Sequence, residues 1–276
     1  MTNYFVDIPI EIRDSDDEYD ETDETSVHTD NKKCMPECAI DYHEFRIGGK
    51  IMKPTKEQYK IITEDPNKNM LVLACAGSGK STTMVCRVKY LIDHGVKPER
   101  IILTTFNVDA CESLKNKLEN IFGDVPNVMV GTFDSISCRM YHKYFKKDYF
   151  VGISEYTTEF YKYLETPDGM RIMRRYDYVI FDEFQDVSDS QYNIVKKFYE
   201  HGVKIILIGD DAQNIYQWRG SDLKYILKAR DYFPTIETYL LSTNYRSSTE
   251  IVTLANAIIA NNKDNIVKPM NSFCGS

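Results

Sequence analysis

The chain has 276 residues, 42% of them hydrophobic, and a formal net charge of −8. No apolar run approaches the ~20 residues that span a bilayer, and MTNYFVDIPIEIRD lacks the basic start and apolar stretch of a secretory signal, so a soluble intracellular protein without membrane association is expected. The charge is uneven: residues 1–30 hold eleven acids and one base, Arg13, a balance of −10, which leaves residues 31–276 at +2.

Asp14–Asp30 is almost entirely Asp, Glu, Thr and Ser, too poor in apolar surface to repay ordering, and predicts a disordered acidic tail. Composition leaves open whether that tail is merely solvated or mimics nucleic acid. A tail and connector over residues 1–45 should precede a folded domain over residues 46–276, with a break at Gly48 and Gly49. From residue 54 short apolar runs alternate with amphipathic stretches, as in a parallel sheet covered by helices. Strands are predicted at Met70–Ala74, Ile101–Thr105, Asn127–Thr132, Tyr178–Asp182, Val203–Gly209 and Glu237–Leu241. Helices are predicted at Ser81–His94, Val108–Phe122 and Ser188–Glu200, two of them stopped by Gly95 and Gly123. A last helix opens at Ser247–Glu250, whose spacing fits a capping box, and carries Ile251, Leu254, Ala255, Ile258 and Ile259 on one face.

Seven cysteines (34, 38, 75, 86, 111, 138 and 274) are odd in number and irregular in spacing, which points to free thiols in a reducing compartment. His28, Cys34, Cys38 and His43 match none of the usual zinc spacings.

Two segments carry chemistry. ACAGSGKS lies between a predicted strand and a predicted helix: Ala74, Cys75, Ala76, Gly77, Ser78 and Gly79 turn the backbone tightly enough to aim N–H groups at phosphates. Lys80 then reaches the β/γ-phosphates, Ser81 offers a hydroxyl to Mg²⁺, and Thr82 follows on the helix. DEFQD ends the apolar strand YVIF, placing Asp182 where it can hold Mg²⁺ and Glu183 where it can orient or deprotonate an attacking water. Together these define a nucleotide triphosphatase.

Further segments resemble, in order, those of the first RecA-like domain of UvrD/Rep-type superfamily 1 helicases. They are Gln58 in PTKEQYKII, ACAGSGKS itself, TFNVDACESLKNKL, GTFDS, DEFQD, GDDAQNIYQWRGS and NYRSSTEI. The resemblance covers roughly residues 54–262. It implies an α/β fold of RecA-like P-loop type, with ATP and Mg²⁺ as cofactors and single-stranded or tailed duplex DNA as partner. It also implies an ATP-dependent DNA helicase of 3′-to-5′ polarity, although an ATP-responsive DNA-binding adaptor would use the same motifs. Gln58 would read adenine and Tyr245 stack on it, while Gln213 and Arg246 would contact the γ-phosphate. Phe106, Tyr216 and Trp218 would stack on bases, with Thr132 and Arg219 also on the DNA.

The match has gaps. Asp134 stands where the family has His, and Thr82 where many relatives have Arg. Only 46 residues separate Ser135 from Asp182, so a reduced insert of two helices is expected, one of them Ser135–Phe145. Residues 1–276 contain none of the motifs of a second RecA-like domain, whose arginine would complete the ATP site in cis or in trans.

Overall fold

The computed structural model describes residues 42–47, 49–145, 153–262, 266, 268 and 270–273. The acidic tail and the Cys34–Cys38 segment lie outside them. Its first half runs β1 (Phe45–Ile47), β2 (Lys50–Met52), α1 (Lys56–Ile62), β3 (Asn69–Ala74), α2 (Lys80–Asp93), β4 (Ile101–Thr105), α3 (Val108–Phe122), β5 (Met129–Thr132) and α4 (Phe133–Phe145). There follow α5 (Ile153–Leu164), α6 (Pro167–Met173), β6 (Tyr178–Asp182), α7 (Asp189–Glu200), β7 (Lys204–Gly209), α8 (Lys224–Leu227) and α9 (Ala229–Tyr232). The last elements are β8 (Ile236–Leu241), β9 (Thr243–Asn244), α10 (Thr249–Ile259) and β10 (Asn271–Ser272).

Six strands form one parallel sheet in the order β5-β4-β6-β7-β3-β8. Strands β3, β4 and β6 are buried along their whole length, as apolar runs must be when helices cover both faces. Alternate residues serve the two sides. Leu71, Leu73, Val179 and Phe181 pack on Met140, Phe160, Ile172 and Phe198 of α4–α7. Met70, Val72, Ile180 and Ile206 pack on Met84, Val88, Leu91 and Leu114 of α2 and α3. Because β3 sits between β7 and β8, the loops leaving β6, β7, β3 and β8 open side by side at one edge of the sheet, where an open α/β sheet takes its ligands.

Several expectations need correcting. The connector expected before Lys50 is an antiparallel hairpin of β1 and β2, with Tyr42 and Phe45 buried against Ile62 and Cys86. Strand β5 starts at Met129, because the Val128 N–H turns back onto the Pro126 carbonyl. The insert holds three helices, not two: α6 is capped by Thr166, which accepts the Gly169 N–H, and has Pro167 in its first turn. Those signals are short and local, and the apolar pattern alone passes over them.

The capping box at Ser247 does not form. Its N–H is taken by Asn244 Oδ1 at 2.7 Å, so α10 starts one residue later, at N-cap Ser248, without a side-chain cap. The apolar face of α10 is also split: Val252, Ala255 and Ile259 meet Cys75 and Met270, while Ile251, Leu254 and Ile258 are exposed. Among the described residues Cys75, Cys86, Cys111 and Cys138 are free thiols, and no helix is long and apolar enough to cross a membrane.

Candidate functional site

Strand β3 ends at Ala74, and the Cys75 N–H continues onto the Leu241 carbonyl before the chain turns. Gly77 and Gly79 both have positive φ, 67° and 79°, which lets the loop double back and begin α2 at Lys80. Gly77 has a second reason to be glycine: a Cβ there would lie 2.9 Å from Cβ of Arg246. The NYRS segment is thus pressed against the loop, with the Tyr245 N–H on the Gly77 carbonyl and Asn244 Nδ2 on the Ala76 carbonyl.

Ala76–Thr82, Lys117, Glu183, Gln213 and Arg246 line a cleft of about 240 Å³. Lys80, Lys117 and Arg246 give it three cations from three different elements. Lys80 Nζ lies 2.7 Å from Glu183 Oε2. Ser81 Oγ donates to Asp182 Oδ2 at 3.5 Å, and the buried Ser78 hydroxyl has no hydrogen-bond partner among the described residues. Polar atoms left this way in a cationic, glycine-lined loop fit a phosphate chain.

The acids are under strain of two kinds. Burial, reinforced by the neighbouring Glu183 and opposed by Lys80, pushes Asp182 up to about 6. Burial and Glu183 do the same to Asp186, also to about 6. Burial lowers Lys117, with Asp182 opposing. Among the described residues Glu183 is the one non-glycine with positive φ, at 60°, a backbone conformation held only where surroundings enforce it. Burial, then Asp210, raises the Cys75 thiol to about 11, which disfavours its thiolate form.

No group of three or more His, Cys, Asp or Glu suited to a metal occurs among the described residues. A magnesium ion needs none, because it takes one or two protein oxygens and fills its shell with phosphate and water. Ser81 lines the cleft and Asp182 lies within hydrogen-bond distance of its hydroxyl, so the two offer a pair of hard oxygen donors beside the phosphate loop.

A hydrogen-bonded path leaves this cleft. Gln185 Nε2 donates to Glu183 Oε2 at 2.9 Å and to Asp186 Oδ2 at 3.2 Å, while its Oε1 accepts the Asp210 N–H at 3.0 Å. Asp210 Oδ2 in turn accepts Gln213 Nε2 at 2.6 Å. Gln185 and Asp210 lie inside quoted motifs but drew no role from the sequence. Lys117 was missed because its signal is only a position near the end of TFNVDACESLKNKL.

Other expected residues are placed less directly. Gln58 is buried below the loop: Nε2 donates to the Ser78 carbonyl at 3.3 Å, and Oε1 accepts the Thr55 N–H in a capping box. Its helix is anchored by the buried Arg87, which donates to the carbonyls of Ile62, Glu64 and Asp65. The Tyr245 ring meets Phe273 at 5.1 Å.

On the side expected to bind DNA, Phe106 and Tyr216 stack on each other at 4.5 Å. Trp218 is 74% exposed. Thr132 Oγ1 accepts the Ser135 N–H at the start of α4, and Asp134 accepts Thr157 Oγ1 at 2.7 Å, tying α4 to α5. The Arg219 side chain is outside the described residues.

Comparison with known proteins adds the lineage. The family model of the UvrD/REP helicase N-terminal domain matches residues 54–168 and 141–234, well over half of the chain. Relatives include the ATP-dependent DNA helicase PcrA of Bacillus subtilis (strain 168), 24% identical over 304 residues, covering 80% of this chain and 40% of PcrA. The ATP-dependent DNA helicase Rep of Buchnera aphidicola is 24% identical over 287 residues, covering 74% of this chain and 44% of Rep. Among solved structures, a Pif1 from Bacteroides sp in complex with ADP-AlF4 is 19% identical with a TM-score of 0.44, over 75% of this chain and 46% of that one. The chain therefore spans under half the length of these relatives, and on the family match it belongs to the UvrD/REP helicase N-terminal domain family.

Proposed function

We propose that this domain binds and hydrolyses ATP as the nucleotide-binding half of a DNA helicase motor. The observation that carries the reading is convergence: Lys80, Glu183, Gln213 and Arg246, from four separate segments, line one cleft beside a glycine-turned loop. The loop amides and Lys80 hold the β- and γ-phosphates, with Lys117 as a further cation. Ser81 and Asp182 would hold magnesium, which when bound neutralises charge on the β- and γ-oxygens. Glu183 orients the water or takes its proton. Gln213 and Arg246 contact the γ-phosphate, and Gln58 and Tyr245 serve the adenine.

Trp218, Phe106 and Tyr216 provide aromatic faces for single-stranded DNA, a contact that tolerates any sequence. Thr132 and Arg219 join this surface. Single-stranded or tailed duplex DNA is the substrate, with 3′-to-5′ polarity; the relatives' names, DNA helicases, support DNA as the substrate class. A second RecA-like domain, in cis or in trans, supplies the remaining arginine and a wall for the cleft to close against.

The test is phosphate release, with and without single-stranded DNA, together with fluorescence unwinding of a 3′-tailed duplex. It compares the 276-residue chain with a protein that also carries the second domain. Trans-acting arginines contribute roughly 10³–10⁵ in rate, so the 276-residue chain should bind ATP, turn it over very slowly and separate no strands. The extended protein should bind ATP, hydrolyse it rapidly with single-stranded DNA present and separate the strands. ATP binding without DNA-stimulated turnover in the extended protein would instead favour an ATP-responsive DNA-binding adaptor.

A further inference from the structure

Lys268 belongs to none of the motifs, yet its ammonium is buried between two acids of GDDAQ. Nζ lies 2.7 Å from Asp210 Oδ1 and also pairs with Asp211 Oδ1, and all three side chains are at most 8% exposed. The Ile266 N–H donates to the other oxygen of Asp211 at 2.8 Å. Burying two carboxylates and one ammonium is costly, and such a cluster holds together only when every partner is in place. Losing one partner should therefore be felt by the others.

Asp210 is the shared member. One of its oxygens faces Lys268 and the other accepts Gln213 Nε2 at 2.6 Å. Gln213 in turn lines the nucleotide cleft. The segment carrying Lys268 is also tied to the opposite wall. Asn271 N–H donates to the Ser242 carbonyl, Phe273 N–H to the Asn244 carbonyl, and Ser272 Oγ to the Ser247 carbonyl. One short strap thus touches both the Gln213 loop and the segment bearing Tyr245 and Arg246.

We propose that Lys268 is a positioning residue for the γ-phosphate contact: it fixes Asp210, which fixes Gln213, so that preference for ATP over ADP depends on the docking of Ile266, Lys268 and residues 270–273. This rests on the reading of the cleft as an ATP site. A merely structural Lys268 would affect both nucleotides alike, whereas a positioning Lys268 spares ADP, which has no γ-phosphate for Gln213 to touch.

The experiment measures binding of fluorescent ATP and ADP analogues, with Mg²⁺, to the 276-residue chain and its variants. Lys268→Met should weaken the ATP analogue roughly tenfold and leave the ADP analogue within about twofold, while Lys268→Arg keeps most of the preference. Gln213→Ala should show the same selective loss, and combining it with Lys268→Met should add nothing. If Lys268→Met alone fails to fold, the charge-matched pair Lys268→Met with Asp211→Asn keeps the cluster at one net negative charge and should show the same selectivity. Equal losses for both nucleotides, or additive losses in the Gln213 background, overturn the proposal. A parent chain that binds neither nucleotide overturns the ATP reading and this inference together. A parent that binds both, with Lys80→Ala abolishing binding, leaves the ATP reading standing and lets the selectivity alone decide.

Discussion

Lys80 Nζ and Glu183 Oε2 lie 2.7 Å apart, joining the first residue of α2 to the residue just past β6. The cation proposed to hold phosphate and the acid proposed to orient water are therefore one electrostatic unit. A phosphate chain entering the cleft competes with Glu183 for Lys80, and a carboxylate that loses this partner becomes more available to a water.

Lys80→Ala should abolish ATP binding. It removes the cation best placed for the β/γ-phosphates and leaves Asp182, Glu183 and Asp186 with less positive charge nearby. Isothermal calorimetry with Mg²⁺ checks this, and unchanged affinity would remove Lys80 from the site.

Glu183→Gln should keep ATP affinity and slow hydrolysis by roughly 10²–10⁴ in the extended protein, since it alters the water-orienting group but spares the loop. Glutamine keeps the side-chain length at this strained backbone position. Phosphate release at saturating ATP is the measurement. Normal turnover would place the base elsewhere.

Trp218→Ala should weaken single-stranded DNA binding by roughly 1–3 kcal/mol with little sequence dependence. Its exposure predicts an unchanged melting temperature. Phe106→Ala differs, because it removes a ring stacked on Tyr216 and should lower both DNA affinity and stability. Fluorescence anisotropy and thermal melting separate the two effects, and a Trp218 variant that unfolds would show a core residue.

Gly169→Ala should destabilise the fold by about 1–3 kcal/mol. An added Cβ would lie 2.1 Å from the Tyr163 carbonyl oxygen and 2.6 Å from Leu164 Cα, backbone atoms that cannot swing aside. At Gly49 the space around a Cβ is open, but its φ of 79° is strained for alanine, so it makes a milder control. Urea unfolding of both variants decides it, and equal midpoints would mean that α5 and α6 separate at no cost.

What the sequence made legible was whatever one segment writes by itself. The buried strands YVIFD and IILTT have their predicted limits, and α3 runs from Val108 to the stop at Gly123 because periodicity and terminus coincide. ACAGSGKS and DEFQD come together as their positions at strand ends require. Relations between distant segments were not legible. Nothing in KPMNS reveals that Lys268 is buried between Asp210 and Asp211, and nothing in the two aromatic motifs reveals that Phe106 and Tyr216 stack on each other. The sequence puts Ile251, Leu254, Ala255, Ile258 and Ile259 on one face of the helix after NYRSS, yet among the described residues Val252, Ala255 and Ile259 pack on Cys75 and Met270 while Ile251, Leu254 and Ile258 are exposed.

Gln185 gives the path between the two acidic loops a direction. Its nitrogen faces the carboxylates of Glu183 and Asp186, and its oxygen faces the Asp210 N–H. A flipped amide would set lone pairs against two anions and hydrogens against a hydrogen. Nor can it drift, because its Oε1 is already so close to Gly209 that a Cβ there would lie 2.6 Å away. Glutamate, identical in shape, would add a third carboxylate where a donor is required, whereas asparagine would spare the charge but fall one methylene short of spanning both loops. The hydrogen bonds at this position call for both the length and the polarity of glutamine, which neither glutamate nor asparagine supplies together.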